Sequence, residues 1–393
     1  MIKLRWKNKW IHFSQIVWSG TDNQCSRTLD FEIPRNPYDP SFNNLGINLG
    51  DLIFMYSDST CLFVGTVTKR NENGKVDNAS YTASDFMIHL LRSNATYKFK
   101  NTTPERATKA ICKQFGISYT SIINTGINVG TIFFEDACVY DIIVSLFRRA
   151  MAFTKKKYFV TMNKNKLTVI EKGKASGVKL VQGQSISDSS YSDTLDNMVN
   201  RVVVFDKRGK RLGYVQNKAN VSKYGVYQAV VKKENNKQKS KPLAQAKFVG
   251  VTREASLEAI GDIKAVSGKS IIISNKSSKL DGVYFITSDT HTFANGVHTM
   301  SLQLSFSNVM GEGADYEGSG AKKKDYRVKL GRNSKVWYIN NKNSRTYHGT
   351  KECDYCYGKK LVQSTVAKMN TIKLKRGKNK GKRKFKPCKK CCK

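Results

Sequence analysis

The residues of this sequence that are best suited to chemistry are a histidine and several cysteines near its end. His348 and Cys353 form one close pair, and Cys388 and Cys391 form a second. Two close pairs of soft ligands are the arrangement that a tetrahedral Zn²⁺ site needs. Cys356 is an alternative fourth ligand, because it follows Cys353 at a Cys-x2-Cys spacing. The spacing therefore predicts a Zn²⁺ site built from these side chains, and no cofactor is expected in the body of the chain.

Two other chemistries remain open for the same cysteines. The segment that holds them, about 60 residues long, has few large apolar side chains, so a cross-link by metal or disulfide is expected to stabilise it. We favour the metal because the cysteines are paired and the sequence shows no secretory leader, which indicates folding in a reducing cytoplasm. A nucleophilic Cys388 or Cys391 is the other option, since the surrounding Lys and Arg side chains favour the thiolate. So short a segment, however, can hardly build a catalytic cleft.

Two histidines lie in a hairpin pattern within the body of the chain. His291 and His298 flank Asn295-Gly296, a dipeptide that favours a type I′ turn, and pairing across that turn places both rings on one face. The sequence marks no third ligand nearby, so we interpret them as hydrogen-bonded or solvated side chains rather than a catalytic or metal site. Asp85 and His89, four residues apart in a predicted helix, are interpreted in the same way.

Positive charge is concentrated at the end of the chain. The formal net charge is +38, and residues 318–393 carry 25 Lys and Arg against 3 Asp and Glu. Such a segment attracts polyanions, either nucleic acid or an anionic cell-wall polymer, through a screened and largely non-specific field. The alternative is a solvated segment that only aids solubility. No stretch approaches the ~18 apolar residues of a membrane span.

Alternation of apolar and polar residues predicts a mainly β chain. Residues 28–33 alternate as a half-buried strand does, and two further strand patterns follow in residues 50–70. Strand patterns resume at residues 200–216. No phosphate-binding loop, dinucleotide fingerprint or serine-nucleophile motif occurs in residues 1–317, so the sequence gives no argument for an enzyme.

Helical periodicity interrupts the strand patterns and predicts an α+β insert over residues 82–172. One helix is expected within residues 82–91. A second is expected to begin at Thr103, with Pro104 in its first position, and to stop at Gly116. A third is expected in residues 139–151, with a buried face formed by Ile142, Ile143, Leu146, Phe147 and Ala150.

A faint internal repeat links the two β regions. The segment "GDLIFM" begins 15 residues before Gly65, and "GKSIII" begins 14 residues before Gly282. A glycine before an apolar strand is common in β proteins, so this spacing is only an indication of duplication. Residues 311–325 are rich in glycine and lack large aliphatic side chains, which is typical of a linker.

Several segments occur in a characteristic order: "IVWSGTDNQCSRTLDFEI", "GDLIFMY" with "LFVGTVTKR", the helical stretch from "YTASDFM" to "CKQFGI", and "FITSDTHTFANGVHTMSLQLSFSNVM". These segments resemble the baseplate hub family of contractile phage tails, including the hub of defective prophages of Gram-positive bacteria. Together they span about residues 10–310. The tail separately resembles the metal-binding module of DNA alkyl-transfer repair proteins, through Tyr347, His348, Cys353, Pro387, Cys388 and Cys391. It departs from that pattern in Cys356, Cys392 and a very basic insert.

The resemblance implies a mainly β fold with two tail-tube-like β-barrels, a small α/β domain and a metal-binding-like mini-domain. The expected domains are a first barrel over 1–81, the insert over 82–172, a second barrel over 173–310, a linker over 311–325 and a basic Cys/His mini-domain over 326–393. It implies a homotrimer that matches three chains to a sixfold tail tube and closes the tube end. The implied partners are the tube or distal tube protein, the central spike or needle, the tape-measure protein and other baseplate proteins.

The functional prediction is thus a structural hub in a phage or phage-like particle, assembled in the cytoplasm of the bacterial host. A basic Cys/His nucleic-acid-binding protein is the first alternative, and a cell-wall-acting cysteine hydrolase is the second.

Overall fold

The computed structural model describes residues 1–23, 26–72, 77–233, 239–311, 313–323, 334–339, 346–348, 361–366, 369 and 386–387. They fall into two units. The larger unit comprises Met1–Thr125 and Val129–Ala321, and the smaller comprises Gly126–Asn128 and Lys322–Lys393. The chain is mainly β, as alternation predicted.

The first half of the larger unit is antiparallel sheet. Its strands are β1 (Ile2–Trp6), β2 (Lys9–Ile11), β3 (Gln15–Thr21), β4 (Thr28–Arg35), β5 (Leu52–Ser57), β6 (Thr60–Asn71) and β7 (Asp77–Asp85). They lie side by side in the order β3-β4-β7-β6-β5-β1-β2. Because side chains alternate between the faces of a strand, one face can be apolar throughout. That face buries a core in which Phe31 stacks on Tyr81 from the neighbouring strand, with ring centroids 5.3 Å apart.

The α+β segment follows directly. Its elements are α1 (Met87–Leu91), β8 (Asn94–Lys100), α2 (Pro104–Gln114), β9 (Tyr119–Ile122), β10 (Ile127–Asn128), β11 (Thr131–Cys138), α3 (Val139–Thr154), β12 (Tyr158–Asn163) and β13 (Lys166–Glu171). Pro104 begins α2 as predicted, although the Thr103 side chain makes no capping bond. The predicted apolar face of α3 is buried. The first helix is shorter than predicted, because β7 continues its pairing with β4 and β6 as far as residues 84–85.

The second half returns to strands. Its elements are β14 (Lys174–Val181), β15 (Ile186–Thr194), β16 (Arg201–Phe205), β17 (Arg211–Gln216), α4 (Lys218–Tyr224), β18 (Gln228–Lys232), α5 (Ser240–Gln245), β19 (Thr252–Ile260), β20 (Lys269–Asn275), β21 (Leu280–Ala294) and β22 (Val297–Ser305). Strands β15, β19, β22 and β21 join the sheet of the first half at β3, β20 pairs with β21, and β14 pairs with β20. A second core, which includes Leu257, Ile273 and Leu302, is buried here.

The two halves repeat one strand arrangement. The first half contains the spatial order β5-β6-β7-β4-β3, and the second contains β20-β21-β22-β19-β15. The five strands also follow one another along the chain in the same sequence in both halves. The long strands β6 and β21 occupy equivalent places, and each shifts register once against the strand that follows it. The faint repeat around Gly65 and Gly282 thus falls on equivalent hairpins, β5-β6 and β20-β21.

A small sheet is inserted between β15 and β19. Its strand order is β17-β16-β18, with β17 antiparallel and β18 parallel to β16. One face packs Val202 and Val204 against Ala244 of α5.

The end of the chain contributes short strands. These are β23 (Glu317–Ser319), β24 (Lys322–Lys323), β25 (Lys335–Ile339), β26 (Thr346–His348), β27 (Leu361–Thr365) and β28 (Lys386–Pro387). Within the larger unit β23 pairs with β11, inside the predicted linker. In the smaller unit the order is β27-β25-β26-β28 around Val336, Tyr347, Val366 and Met369. The predicted domain boundaries stay predictions.

Across the described ranges, no helix combines the length and the apolar character that crossing a membrane requires.

Candidate functional site

Buried polar side chains mark the junction where the two sheet halves meet. Here β3 pairs with β21, residues 15–21 against residues 288–294. Asp289, His291 and Phe293 share one face of β21, because alternate residues of a strand point the same way. Phe293 packs in the core of the first half, whereas Asp289 and His291 are fully buried polar groups. Burial of such groups is costly unless they find partners, so their contacts define the site.

Arg27 supplies the partner for Asp289. Its Nη1 donates to Asp289 Oδ1 at 3.0 Å, and its Nη2 donates to the second carboxylate oxygen. The backbone N–H of Ser267 donates to Oδ1 at 2.6 Å. The guanidinium also lies over the ring of Trp18, 4.0 Å from its centroid. It passes Gly20 so closely that a Cβ at that position would lie 2.5 Å from Nη1.

The surroundings of Asp289 fix its charge. Burial alone would raise the pKa of this carboxyl, but the charge of Arg27 and hydrogen bonds from His291 and Arg27 outweigh that effect and hold its pKa well below its usual range. A general base needs a pKa near the working pH. Asp289 is therefore suited to be a structural anion and poorly suited to proton transfer.

His291 carries the network on to His298. Its Nε2 lies 3.1 Å from the carbonyl oxygen of Ala265, which can only accept, so Nε2 bears the proton. Its Nδ1 lies 3.1 Å from Nε2 of His298, so the two rings share a hydrogen bond. Burial, followed by the nearby His291, lowers the pKa of His298 to about 4. His298 is therefore uncharged at neutral pH.

The structure supports the hydrogen-bonded interpretation of these histidines. His291 lies opposite Met300 and His298 lies opposite Phe293, which is the shared face that the sequence predicted. Both residues of Asn295-Gly296 have positive φ, as a type I′ turn requires. Within the described part of the chain, no group of three or more His, Cys, Asp or Glu could hold a metal ion.

Asp85 also acts locally. Its carboxylate accepts hydrogen bonds from the Ser26 hydroxyl and from the backbone N–H groups of Arg27 and Met87, all within 3.0 Å. Burial raises the pKa of Asp85 to about 6, although these bonds oppose the rise. It thus links the residues just before β4 to the residue that begins α1 after β7, whereas His89 is exposed on α1.

Sequence analysis did not single out Arg27 or Asp289. The available signal was an acidic residue at an inward position of the alternating strand that contains His291 and Phe293. Its partner lies 262 positions away, beyond the reach of any local pattern.

A second buried ion pair lies at the end of β3. Lys172 Nζ is 2.6 Å from Asp22 Oδ2, with both side chains almost fully buried, and it also donates to the carbonyl oxygen of Val309. Burial raises the pKa of Asp22, and the hydrogen bond and charge of Lys172 oppose that rise. The pair ties β3 to the turn after β13 and to the segment after β22.

Of the predicted zinc ligands, only His348 lies within the described residues. It is 1% exposed in β26, opposite Trp337. Cys353, Cys356, Cys388 and Cys391 lie outside the described residues, so the ligand set stays a prediction. One described contact is relevant to the predicted ligand set: Tyr347 lies beside Pro387 in the parallel pairing of β26 with β28. The predicted ligands His348 and Cys388 are the next residues in the sequence.

Comparison with known proteins places this architecture among phage tail components. The YQBQ-like family model matches residues 16–305. The uncharacterized protein YqbQ of Bacillus subtilis (strain 168) is 27% identical over 277 residues, which cover 68% of this chain and 84% of that protein. The phage-like element PBSX protein XkdQ of the same strain is 24% identical over 304 residues, which cover 75% of this chain and 92% of that protein.

Among solved structures, the 43 kDa tail protein of prophage MuSo2 from Shewanella oneidensis has the same fold. The TM-score is 0.61 at 13% identity, and the match covers 77% of this chain and 98% of that chain.

The fold is shared with a phage tail protein, and one relative is a protein of a phage-like element. The chain itself belongs to the YQBQ-like family.

Proposed function

We propose that this protein is the hub of a phage or phage-like tail, where it closes the end of the sixfold tail tube and joins it to the central spike. The observation that carries the proposal is the repeated strand order of the two sheet halves. One chain with two equivalent modules contributes two similar surfaces, so three chains contribute six. A ring of three chains can then match a sixfold tube without a symmetry mismatch.

We further propose that each half forms a tube-like barrel, over residues 1–81 and 173–310. The buried pair Arg27–Asp289 joins the two halves, and the buried pair Lys172–Asp22 joins the first half to the end of the insert. A hub that must transmit force from sheath contraction gains from modules that cannot rotate freely against each other. The role is mechanical, and the proposal assigns no catalytic step to the chain.

The partners follow from this position in the particle. The tube or distal tube protein and the tape-measure protein would meet one side of the ring, and the spike and other baseplate proteins would meet the other. We propose that the basic mini-domain over residues 326–393 is held together by Zn²⁺ and attaches the hub to the spike or to an anionic cell-wall polymer. Its charge and the burial of His348 support this assignment.

Native mass spectrometry of the purified chain, with and without its tube protein, tests the proposal. The expected species is a trimer, either free or formed on the tube. A matched control ends the chain at residue 321, before the basic mini-domain, and should still form trimers, because both modules precede that point. A stable monomer that is absent from purified tail particles would refute the hub.

A further inference from the structure

The small sheet of β16, β17 and β18 has one face that the core does not use. Val202 and Val204 point into the core beneath α5, so their neighbours Arg201, Val203 and Phe205 point to the opposite face. Strand pairing places Tyr214 and Val230 on either side of Val203 on that face. We call this face the platform; it presents Arg201, Phe205, Tyr214, Gln228, Val230 and Lys232.

The platform combines accessible aromatic and apolar surface with a cation. Tyr214 is 53% exposed and Val230 is 60% exposed, on the two edge strands of this three-stranded sheet. The guanidinium of Arg201 lies 5.1 Å from the centroid of the Tyr214 ring and donates through Nε to Gln216 Oε1 at 2.9 Å. Because the Tyr214 ring is exposed beside this cation, another flat group can stack on it.

A cluster of cations borders one end of the platform. This basic edge consists of Lys207, Arg208, Lys210, Arg211 and Lys233. The turn between β16 and β17 is stabilised by Asp206, whose Oδ1 accepts hydrogen bonds from the backbone N–H groups of Arg208 and Lys210, each at 2.8 Å. The backbone N–H of Lys233 donates to the carbonyl oxygen of Phe205, which brings β18 to the same end. Residues 199–249 carry 13 Lys and Arg against 2 Asp and Glu.

We propose that the platform and the basic edge form a binding site for single-stranded nucleic acid, with bases stacked on Tyr214 and Phe205 and phosphates held by the basic edge. Charge complementarity requires an anionic partner, and the exposed ring of Tyr214, with the half-buried Phe205 on the same face, favours one with accessible planar groups. Paired bases in a duplex hide those planes, and a cell-wall polymer of sugar or glycerol phosphates has no planar bases. The single strand fits both features.

This site is separate from the basic segment at the end of the chain. Residues 318–393 attract any polyanion through charge, whereas the platform adds a requirement for bases. The inference does not rest on the hub proposal, since a hub without this activity and a non-hub with it are both possible outcomes.

The test compares the affinity of the full-length chain for two fluorescent single strands of about 12 nucleotides. One strand is oligo-dT, and the other is made of abasic residues with the same number of phosphates. Fluorescence anisotropy should show oligo-dT binding about tenfold more tightly, because only the bases can stack. Tyr214→Ala should reduce this preference, since only Phe205 remains to stack, and should leave the affinity for the abasic strand unchanged. Tyr214→Phe should keep the preference, and Tyr38→Ala, at another exposed tyrosine, should keep it as well.

Photocrosslinking locates the contact. An oligonucleotide that carries 5-iododeoxyuridine should crosslink to the peptide that contains Tyr214, and excess oligo-dT should compete. Three results would overturn the proposal: equal affinity for the two strands, crosslinks confined to residues 322–393, or a preference that Tyr214→Ala leaves undiminished. Tighter binding of duplex than of single strand, or competition by teichoic acid as strong as that by oligo-dT, would also overturn it.

Discussion

Arg27 and Asp289 are 262 positions apart in the sequence, and in the structure they form a buried two-point ion pair between the two sheet halves. The Arg27 side chain is 13% exposed and that of Asp289 is fully buried. Neither charge could be left alone in this environment, because an unpaired buried ion costs several kcal/mol. Each residue can therefore be buried with its partner only when the two halves associate correctly.

Loss of the arginine should be severe. Arg27→Met leaves Asp289 charged and unpaired, and should lower the free energy of unfolding by about 3–5 kcal/mol. Urea denaturation followed by circular dichroism measures the change. Arg35→Met is the matched control, because Arg35 forms a partly exposed pair with Glu72 at 3.8 Å and should cost about 1 kcal/mol or less. Equal losses in the two variants would show that the buried pair has no special role.

The path of the Arg27 side chain depends on a glycine. In Gly20→Ala the new methyl group meets the guanidinium, which cannot move aside because Asp289 holds it, so we expect a loss of about 1–3 kcal/mol. Gly46→Ala has no atom within 4 Å of the added Cβ and should change stability by about 0.5 kcal/mol or less. In an Arg27→Met background the cost of Gly20→Ala should fall. An undiminished cost there would place the clash elsewhere.

His298 should make stability depend on pH. Its pKa falls from 6.5 to about 4 on folding, so below pH 6.5 the unfolded chain takes up a proton that the folded chain does not. The contribution of neutral His298 to the free energy of unfolding is therefore complete above about pH 6.5 and is lost as the pH falls towards about 4. His298→Gln can still hydrogen-bond to His291 but cannot titrate, so its unfolding midpoint should decline less between about pH 7 and pH 4.5. His89→Gln, on the exposed surface of α1, should follow the parent protein; a parallel decline in all three proteins would exclude His298 as the cause.

The zinc hypothesis makes a separate prediction about composition. Chain purified under reducing conditions should carry one Zn²⁺, measured by native mass spectrometry, and Cys388→Ser should lose it, because serine is a poor zinc ligand. Cys392→Ser is the control, since Cys392 lies outside the predicted ligand set. A chain that purifies without metal would refute the zinc hypothesis and show that the cysteines are thiols or disulfides. The hub proposal would be unaffected.

The sequence by itself determined the local elements. Alternation predicted a mainly β chain, Pro104 marked the start of α2, the apolar stripe of α3 was found in full, and Asn295-Gly296 located the hairpin. These features depend on residues within a turn or two of each other, so their signals are complete in a short stretch of chain. The ordered segments also indicated the family, which the comparison confirmed.

The tertiary structure alone decided how those elements associate. The faint repeat around Gly65 and Gly282 became a shared strand order only when the pairings of β6 and β21 were known. Arg27 pairs with Asp289 through a contact between residues that are distant in the sequence. Tyr214 and Val230 flank Val203 because their strands pair with β16. Strand pairing is a choice among many partners of similar pattern, and burial against the rest of the chain makes that choice.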